Sequence, residues 1–408
     1  MGATAFGLTH VVSGIDFANV QRDLSIAFLL GLGVLLAVAT GLRFSGAMAL
    51  GFAVLVGFLE RIHRGPYAGS DVRAATAEAI RVLQGGGNPY THRYLDTNPQ
   101  GSPFAYPIGE PIFYWLHQVL FDRIDYADKI SGLLILVLLA ALAPVVGTVR
   151  ATLVTMLFGT YGMAANFAMD GSNDTSFSFL MVLALVLLVY SQSTPTPKAA
   201  RATIFIVSAF IFGWAILFKQ FAWMIYPFIA LALRQRGERW VLHATIAVGG
   251  AVLVMLPFVV DAPSGVVRNL TRRGIENDIW GLNIWSLLKS FSPGLAQPLT
   301  AFITLPSVIL TLVVFLALLP GTTSDLGAAV LRGLLVMGTL LVTSVWTTFP
   351  YYTGASAILA VAIALYGFPA LTTSTDRHPH TWAGLLPARL IRTVQRVSDH
   401  LWGRSVEP

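Results

Sequence analysis

Glu60–Pro111 reads ERIHRGPYAGSDVRAATAEAIRVLQGGGNPYTHRYLDTNPQGSPFAYPIGEP, and it is a polar island in an otherwise apolar chain. Ten of the 46 formal charges (26 Lys and Arg with 20 Asp and Glu) fall between Glu60 and Glu110. A loop of this length inside a compact fold is uncommon without a function. Around it the chain is 55% hydrophobic and only 11% charged, with a mean hydropathy of +0.70. That composition belongs to a polytopic membrane protein, and no other polar region is long enough for a separate soluble domain.

Apolar spans are read at roughly 24–40, 45–59, 131–149, 151–167, 176–190, 204–218, 221–233, 241–260, 296–319, 332–349 and 354–370. The fold class expected is therefore all-α, a transmembrane helical bundle of about 11 spans whose long first outer loop carries juxtamembrane helices. The expected division is a transmembrane domain at 1–370, with outer loops 60–111 and 261–293, followed by a cytoplasmic basic tail at 371–408. The N-terminus lacks the basic region and cleavage site of a signal peptide, so the membrane is expected to be entered by retained helices.

Alternating the spans places Arg43, Arg150, Lys198 with Arg201, the Arg234–Arg236–Arg239 cluster, and the tail residues Arg377, Arg389, Arg392, Arg396 and Arg404 on one side. Excess Lys and Arg mark the cytoplasmic face. The 60–111 loop, the turn AMDGSNDT (168–175), Lys219-Gln220, the 261–293 loop and Tyr351-Tyr352 then share the outer side. Residues 202–233 test this map, because one continuous helix there would be ~48 Å long, beyond the ~30 Å hydrocarbon core. Two short helices reversing at Lys219-Gln220 are expected instead. In the tail, LLPARLIRTVQRV has apolar residues at helical spacing and reads as a helix on the membrane surface.

Several residues on the outer side invite a chemical reading. Asp71 opens VRAATAEAIRVL, an amphipathic segment whose Val72, Ala75, Ile80 and Leu83 are able to face the membrane. Ser70 or Asp71 can equally cap that helix. The run Gly85 to Tyr90 then ends it, with Asn88-Pro89 opening a turn. Tyr106-Pro107 and Pro111 bracket IFYWLHQVLF, too short to span and expected to lie at the interface with Tyr114 and Trp115 as anchors. Asp170, Asn173 and Asp174 share a short turn. Lys219 between apolar spans is costly, hence functional or paired, with Asp174 as the natural structural partner. Arg268, Arg272 and Arg273 sit outside against the charge preference; their planar forks suit phosphate, and lipid headgroups are the alternative ligand.

Other chemistry has no support. The chain has no cysteine, which removes disulfides and thiolate catalysis. There is no Walker, HExxH, GxSxG or GxGxxG pattern in a fitting context, and the eight histidines lack ligand spacing. The net charge of +6 fits the membrane rule and gives no sign of nucleic acid.

An outer-loop aspartate before an amphipathic helix (Asp71–Leu83), Gly-Asn-Pro-Tyr (Gly87–Tyr90), Tyr106-Pro107 before a second short helix, and Asn173-Asp174 heading a later span resemble the GT-C glycosyltransferases. Within that superfamily the pattern is most similar to the polyprenol-phosphate-mannose-dependent mannosyltransferases. The residue-level likeness covers mainly 68–112 and 170–185. Two departures stand out: an extra apolar segment precedes the loop, and no second acidic residue adjoins Asp71.

The resemblance implies a cell-membrane, multi-pass enzyme with its site on the extracytoplasmic side. It would move a sugar, mannose first among candidates, from a polyprenyl-phosphate donor to a lipid or glycan acceptor, with inversion. Asp71 would be the general base. Lys219, Arg268, Arg272 and Arg273 would bind the donor phosphate, and Asn88, Tyr90, Tyr106, Asp170, Asn173 and Asp174 would contact sugar or acceptor. No cofactor is certain; a divalent cation at Asp170 and Asp174 stays open. Membrane lipids complete the expected partners. A secondary transporter with an intramembrane Lys/Asp site is the competing class, and would place that site near the midplane.

Overall fold

The computed structural model describes residues 45–62, 70–97, 100–193, 197–272, 280–291, 293–344, 346–347 and 349–367. The expected span 24–40 and the tail 371–408 lie outside them. In chain order come α1 (Ser45–Ile62), α2 (Val72–Gln84), α3 (Gly109–Phe121), α4 (Ala127–Ala141), α5 (Ala143–Val146) and α6 (Thr148–Gly159). Next are α7 (Gly162–Phe167), α8 (Asp174–Ser191), α9 (Lys198–Phe218), α10 (Ala222–Gln235) and α11 (Trp240–Ala244). A π-helical turn (Thr245–Gly249) joins α11 to α12 (Gly250–Asp261), and α13 (Pro263–Arg272), α14 (Ile284–Phe291), α15 (Pro293–Leu318), α16 (Leu326–Thr343) and α17 (Phe349–Leu365) complete the series. A two-residue parallel bridge pairs Trp280 with Trp346 and Gly281 with Thr347.

Among the described residues five stretches are long and apolar enough to cross a membrane: Ala127–Val146, Asp174–Ser191, Ala200–Phe218, Trp240–Asp261 and Leu326–Thr343. Thr148–Gly159, Leu305–Leu318 and Pro350–Leu365 are apolar but shorter. Every span expected from residue 45 onward has a helix or helix pair. The 131–149 span breaks at Leu142, where Pro144 in the first turn of α5 cannot continue α4. The 151–167 span breaks at Tyr161, whose backbone is extended.

The expected 332–349 span needs a correction, because α16 runs six residues earlier. Asp325 caps its start, accepting from Ala328 N at 3.0 Å, and Ser344 ends it in an extended conformation. Arg332 is tolerated inside the helix because its guanidinium reaches the carbonyl of Leu318 at 2.8 Å.

Most side chains of α8 are buried, on nearly all sides, between α4, α9 and α17. That explains why its sequence, DTSFSFLMVLALVLLVYS, lacks a polar stripe. Close backbone approach relies on small residues elsewhere. A Cβ on Gly57 of α1 would lie 2.7 Å from Leu136 and 3.0 Å from the Gly159 backbone, and one on Gly213 of α9 would lie 2.7 Å from the carbonyl oxygen of Ala247 in the π turn.

The chain turns back after α9, as expected. Lys219 is extended, and Phe212 of α9 meets Tyr226 of α10 with ring centroids 5.5 Å apart. At one end of the bundle Arg150 donates to the carbonyls of Ala364 (3.4 Å) and Tyr366 (2.9 Å), and Arg236 to Gln192 (2.7 Å) and the carbonyl of Ser324. At the other, the first-loop segments meet the 168–175 turn, Lys219-Gln220 and Tyr351. The helix ends thus divide as the charge pattern implies.

Two expectations about the short helices are overturned. The apolar face of α2 is buried in protein rather than turned to lipid: Val72, Ala75 and Ala79 pack on Tyr90, Tyr94, Phe104 and Tyr106, and Ile80 joins the main core. Tyr114 is no interfacial anchor, since it is buried and its hydroxyl donates to Asp128 Oδ2 at 2.8 Å. Trp115, Leu116, Val119 and Leu120 form the exposed side of α3.

Candidate active site

The Asn-Pro-Tyr turn builds the wall of the site. Asn88 Oδ1 accepts from Tyr90 N (3.0 Å), and its Nδ2 donates to Asp261 Oδ2 (2.8 Å) at the end of α12. Tyr90 is fully buried. Its hydroxyl donates to the carbonyl of Tyr106 (3.0 Å), and its own carbonyl accepts from Asn269 Nδ2 (3.2 Å) on α13. Gly265 of α13 is required by the same contact, because a Cβ there would sit 2.9 Å from the Tyr90 oxygen. Tyr90, Tyr94 and Tyr106 each pack edge-on or tilted against Phe104, with centroids 5.6–6.2 Å apart. Such pairs add ~0.5–1.5 kcal/mol each beyond burial. Asn88 and Tyr90, expected to touch sugar, therefore spend their polar atoms tying the loop to α12 and α13.

Asp71 lies half-buried at the head of α2. Its backbone is helical and its side chain makes no capping bond; Ser70 Oγ takes that part, accepting from Val72 N at 3.2 Å. Ser70 N in turn donates to the carbonyl of Asp170 at 3.1 Å. Arg73 lies over Gly171, where φ is +77° and a Cβ would come within 2.9 Å of the arginine. The start of α2 is thus docked on the Asp170–Asn173 turn, which carries Asp71 to that turn.

Beneath them lies a buried charged network. Lys219 is 2% exposed; its Nζ donates to Asp174 Oδ1 at 2.5 Å and Asn173 Oδ1 at 2.8 Å. Tyr351, Tyr106 and Phe221 surround the ammonium, 4.7–5.5 Å from ring centroid to Nζ. Asn173 has left-handed backbone (φ 63°), which asparagine tolerates better than most residues. Its Nδ2 donates to Glu110 Oε1 at 3.2 Å, and that oxygen lies 2.6 Å from Thr76 Oγ1 of α2. Asp128 accepts from Tyr114 and from Ser176 N (3.0 Å) and Oγ (2.7 Å). Glu110 Oε2 and Asp174 Oδ2 are buried with no protein partner.

Burial governs the protonation of the acids outside the spans. It pushes the Glu110 carboxyl up to about 7, against the hydrogen bonds from Thr76 and Asn173. Asp170 also rises to about 7 by burial, partly offset by Ser172, whose N donates to Oδ1 at 2.9 Å.

Glu110 and Asp128 are the site residues that sequence reading missed. Each is an acid in the first turn of a short apolar helix, GEPIFYWLHQVLF and ADKISGLLILVLLAA. That pattern ordinarily signals a favourable carboxylate at a helix N-terminus.

An apolar groove of about 460 Å³ opens beside the network. Pro107, Leu217, Tyr226, Val252, Met255 and Leu270 are among its lining residues, drawn from the first loop, α9, α10, α12 and α13. One wall ends at Pro107 and Leu217, next to Tyr106 and two residues from Lys219. Of the expected phosphate ligands, Arg268 is exposed on α13, two residues from the groove residues Val266 and Leu270 and so on the other face of that helix. The Arg272 side chain and Arg273 lie outside the described residues. Lys219, Asn173, Asp174 and Tyr106 are brought together, and Asp71 and Asp170 adjoin them through α2. Among the described residues no group of three His, Asp or Glu side chains is placed to hold a metal ion.

No protein-family description and no curated protein sequence matches the chain. Solved structures do. ArnT from Cupriavidus metallidurans bound to undecaprenyl phosphate superposes with a TM-score of 0.50 at 15% identity, over 78% of this chain and 59% of that one. The same protein in the apo state gives 0.46 at 16% identity, over 78% and 58%. The chain thus shares the fold of ArnT and spans 59% of the length of the structure bound to lipid.

Proposed function

We propose that this membrane protein is a glycosyltransferase that takes a sugar from a polyprenyl-phosphate donor and passes it to a lipid or glycan acceptor. The observation that carries the reading is the apolar groove ending beside a buried cation. An isoprenoid tail can enter the groove from the bilayer between α10 and α12, bringing its phosphate to Lys219. The Lys219–Asp174 pair is then a resting state that the phosphate opens.

In this mechanism an acceptor hydroxyl attacks the anomeric carbon as Asp71 takes its proton. The bond from that carbon to the phosphate oxygen breaks with inversion, and Lys219 stabilises the charge that develops on the leaving polyprenyl phosphate. Arg268, Arg272 and Arg273, on or just after α13, are candidate further ligands of that phosphate. Asp170, beside Asp71, is a candidate to bind sugar hydroxyls. Mannose is the proposed sugar on the resemblance of the first-loop motifs. The active site is assigned to the outer face of the cell membrane because Arg150, Arg234, Arg236 and Arg239 gather at the opposite end of the bundle.

The transporter alternative asks for a charged site midway through the spans. Asp174 is the first residue of α8, Asp128 the second of α4, and Lys219 comes directly after the last of α9. The test is to incubate purified protein with a panel of polyprenyl-phosphate sugars and an acceptor extract, measuring release of polyprenyl phosphate. Release from one or more donors is expected; none from any donor overturns the reading.

A further inference from the structure

A chain of contacts links the helix that carries Asp71 to Lys219, and its hydrogen count is informative. Thr76 Oγ1 lies 2.8 Å from the carbonyl oxygen of Val72 and 2.6 Å from Glu110 Oε1. Both partners are acceptors when Glu110 is ionised, yet a threonine hydroxyl has one hydrogen to give. A proton on Glu110 resolves the conflict. The acid then donates to Thr76 Oγ1, Thr76 donates to Val72, and the same carboxyl oxygen keeps a lone pair for Asn173 Nδ2 at 3.2 Å.

The next link fixes direction. The Asn173 amide has one end against Glu110 and the other against the Lys219 ammonium. An ammonium only donates, so the amide oxygen must face it, and the amide nitrogen needs an acceptor on the opposite side. Glu110 is that acceptor. Remove it and the amide can rotate, turning its nitrogen toward Lys219.

We propose that Glu110 is a positioning residue: as a neutral acid it fixes the Asn173 amide with its oxygen on Lys219, and so holds the ammonium at the head of the groove. Glu110 is fully buried, and desolvation is the chief reason its charged form is disfavoured. The groups that act on it or face it are Asp128, Lys219 and the phenols of Tyr90, Tyr94 and Tyr114. Ionisation would put a negative charge beside Asp128 and draw Lys219 off the groove. The consequences for turnover and for binding of the lipid phosphate rest on the glycosyltransferase reading; the consequence for stability does not.

The experiment uses the full chain in nanodiscs, with undecaprenyl phosphate as the binding probe. Glu110→Gln retains a neutral group that accepts from Asn173 and donates to Thr76. Glu110→Leu removes both bonds, and Asn173→Gly deletes the amide while suiting the left-handed backbone. Glu110→Gln is expected to bind within about twofold of wild type, whereas Glu110→Leu and Asn173→Gly each weaken binding about tenfold, near the scale of one charge-assisted bond. The double variant should be no worse than either single one, as for residues acting through each other.

A second readout separates positioning from packing. A carboxyl raised in the folded state binds more protons folded than unfolded, so wild-type stability should fall as pH rises from the ordinary 4.5 toward about 7. Glu110→Gln should make that fall shallower, Asp170 supplying the remainder, and its binding should not weaken above neutral pH as the wild type's does. Equal binding by Glu110→Leu and Glu110→Gln, or an unchanged pH slope in Glu110→Gln, overturns the proposal. Absence of turnover on every donor would overturn the glycosyltransferase reading alone, because the pH slope of stability is measured without turnover.

Discussion

Lys219 is asked to do two things, to neutralise Asp174 at rest and to meet a phosphate during turnover, and substitution separates them. Lys219→Met keeps much of the side chain's volume but leaves Asp174 buried without its cation at 2.5 Å. Both partners are 2% exposed, so solvent does little to soften the loss. Breaking a buried pair from one side costs about 3–5 kcal/mol. At roughly 2 °C per kcal/mol for a chain this large, the melting temperature should drop by about 6–10 °C. Adding Asp174→Asn removes the orphaned charge, and the Lys219→Met/Asp174→Asn double variant should recover most of that loss, since neutral replacements of buried pairs are often near neutral. Activity should behave differently. If Lys219 stabilises the leaving phosphate, both the single and double variants should stay about 10²–10³-fold down in kcat, the scale of losing one transition-state donor. Differential scanning fluorimetry and polyprenyl-phosphate release on the same preparations decide the matter. Recovery of activity in parallel with stability would make Lys219 a structural cation and end its assignment to phosphate. A single variant as stable as wild type would refute the reasoning about the pair.

The other parts of the site carry expectations of their own. Asp71→Asn should lower turnover at least ~100-fold with little change in melting temperature, because the helix cap is Ser70; Ser70→Ala should instead cost about 1 kcal/mol of stability and spare the chemistry. Since the chain has no cysteine, single cysteines report sidedness directly: Ser264→Cys should react with an impermeant maleimide in intact cells and Gln235→Cys only after permeabilisation. Reaction of Gln235→Cys in intact cells would invert the assigned faces. Ala251→Phe narrows the groove at a lining residue, and should raise KM for a long-chain donor while leaving a short, water-soluble donor unaffected; equal effects on both would mean the tail lies elsewhere.

Helix identity and the grouping of helix ends are legible in the sequence because both rest on properties of single segments. Hydropathy marks a span wherever it packs, and Lys and Arg at span ends mark a face. The reversal at Lys219 comes from helix length alone. Side-chain roles are less legible, because they depend on what arrives from far along the chain. Glu110 is buried by Asn173, 63 residues away, and Asp128 by Ser176, 48 away. Nothing in GEPIFYW announces either neighbour. The amphipathic face of α2 reads as lipid-facing since membrane and aromatic cluster attract the same residues; the pattern gives the face, not its partner. Asn88-Pro89-Tyr90 is visible as a motif, and its atoms go to holding α13 in place.

The π turn at Thr245–Gly249 bears on how this sequence can change over time. A wide turn holds one residue more than an α-helix needs, and each extra residue rotates the downstream helix by about 100°. Ala251, Val252, Met255 and Val259 lie on one stripe above the turn, and that stripe is a wall of the groove. Below it, α11 keeps its own facing, with His243 buried against Tyr226 at 2.8 Å. The two halves of this membrane crossing are thus phased independently. A one-residue deletion at Ala247 or Val248, usually ruinous within a span, would here produce a regular helix whose upper half has swung away from α13. Such a deletion should leave a folded, inserted protein without its wall. The length of this one turn, rather than the identity of any lining residue, therefore sets which way the crossing faces.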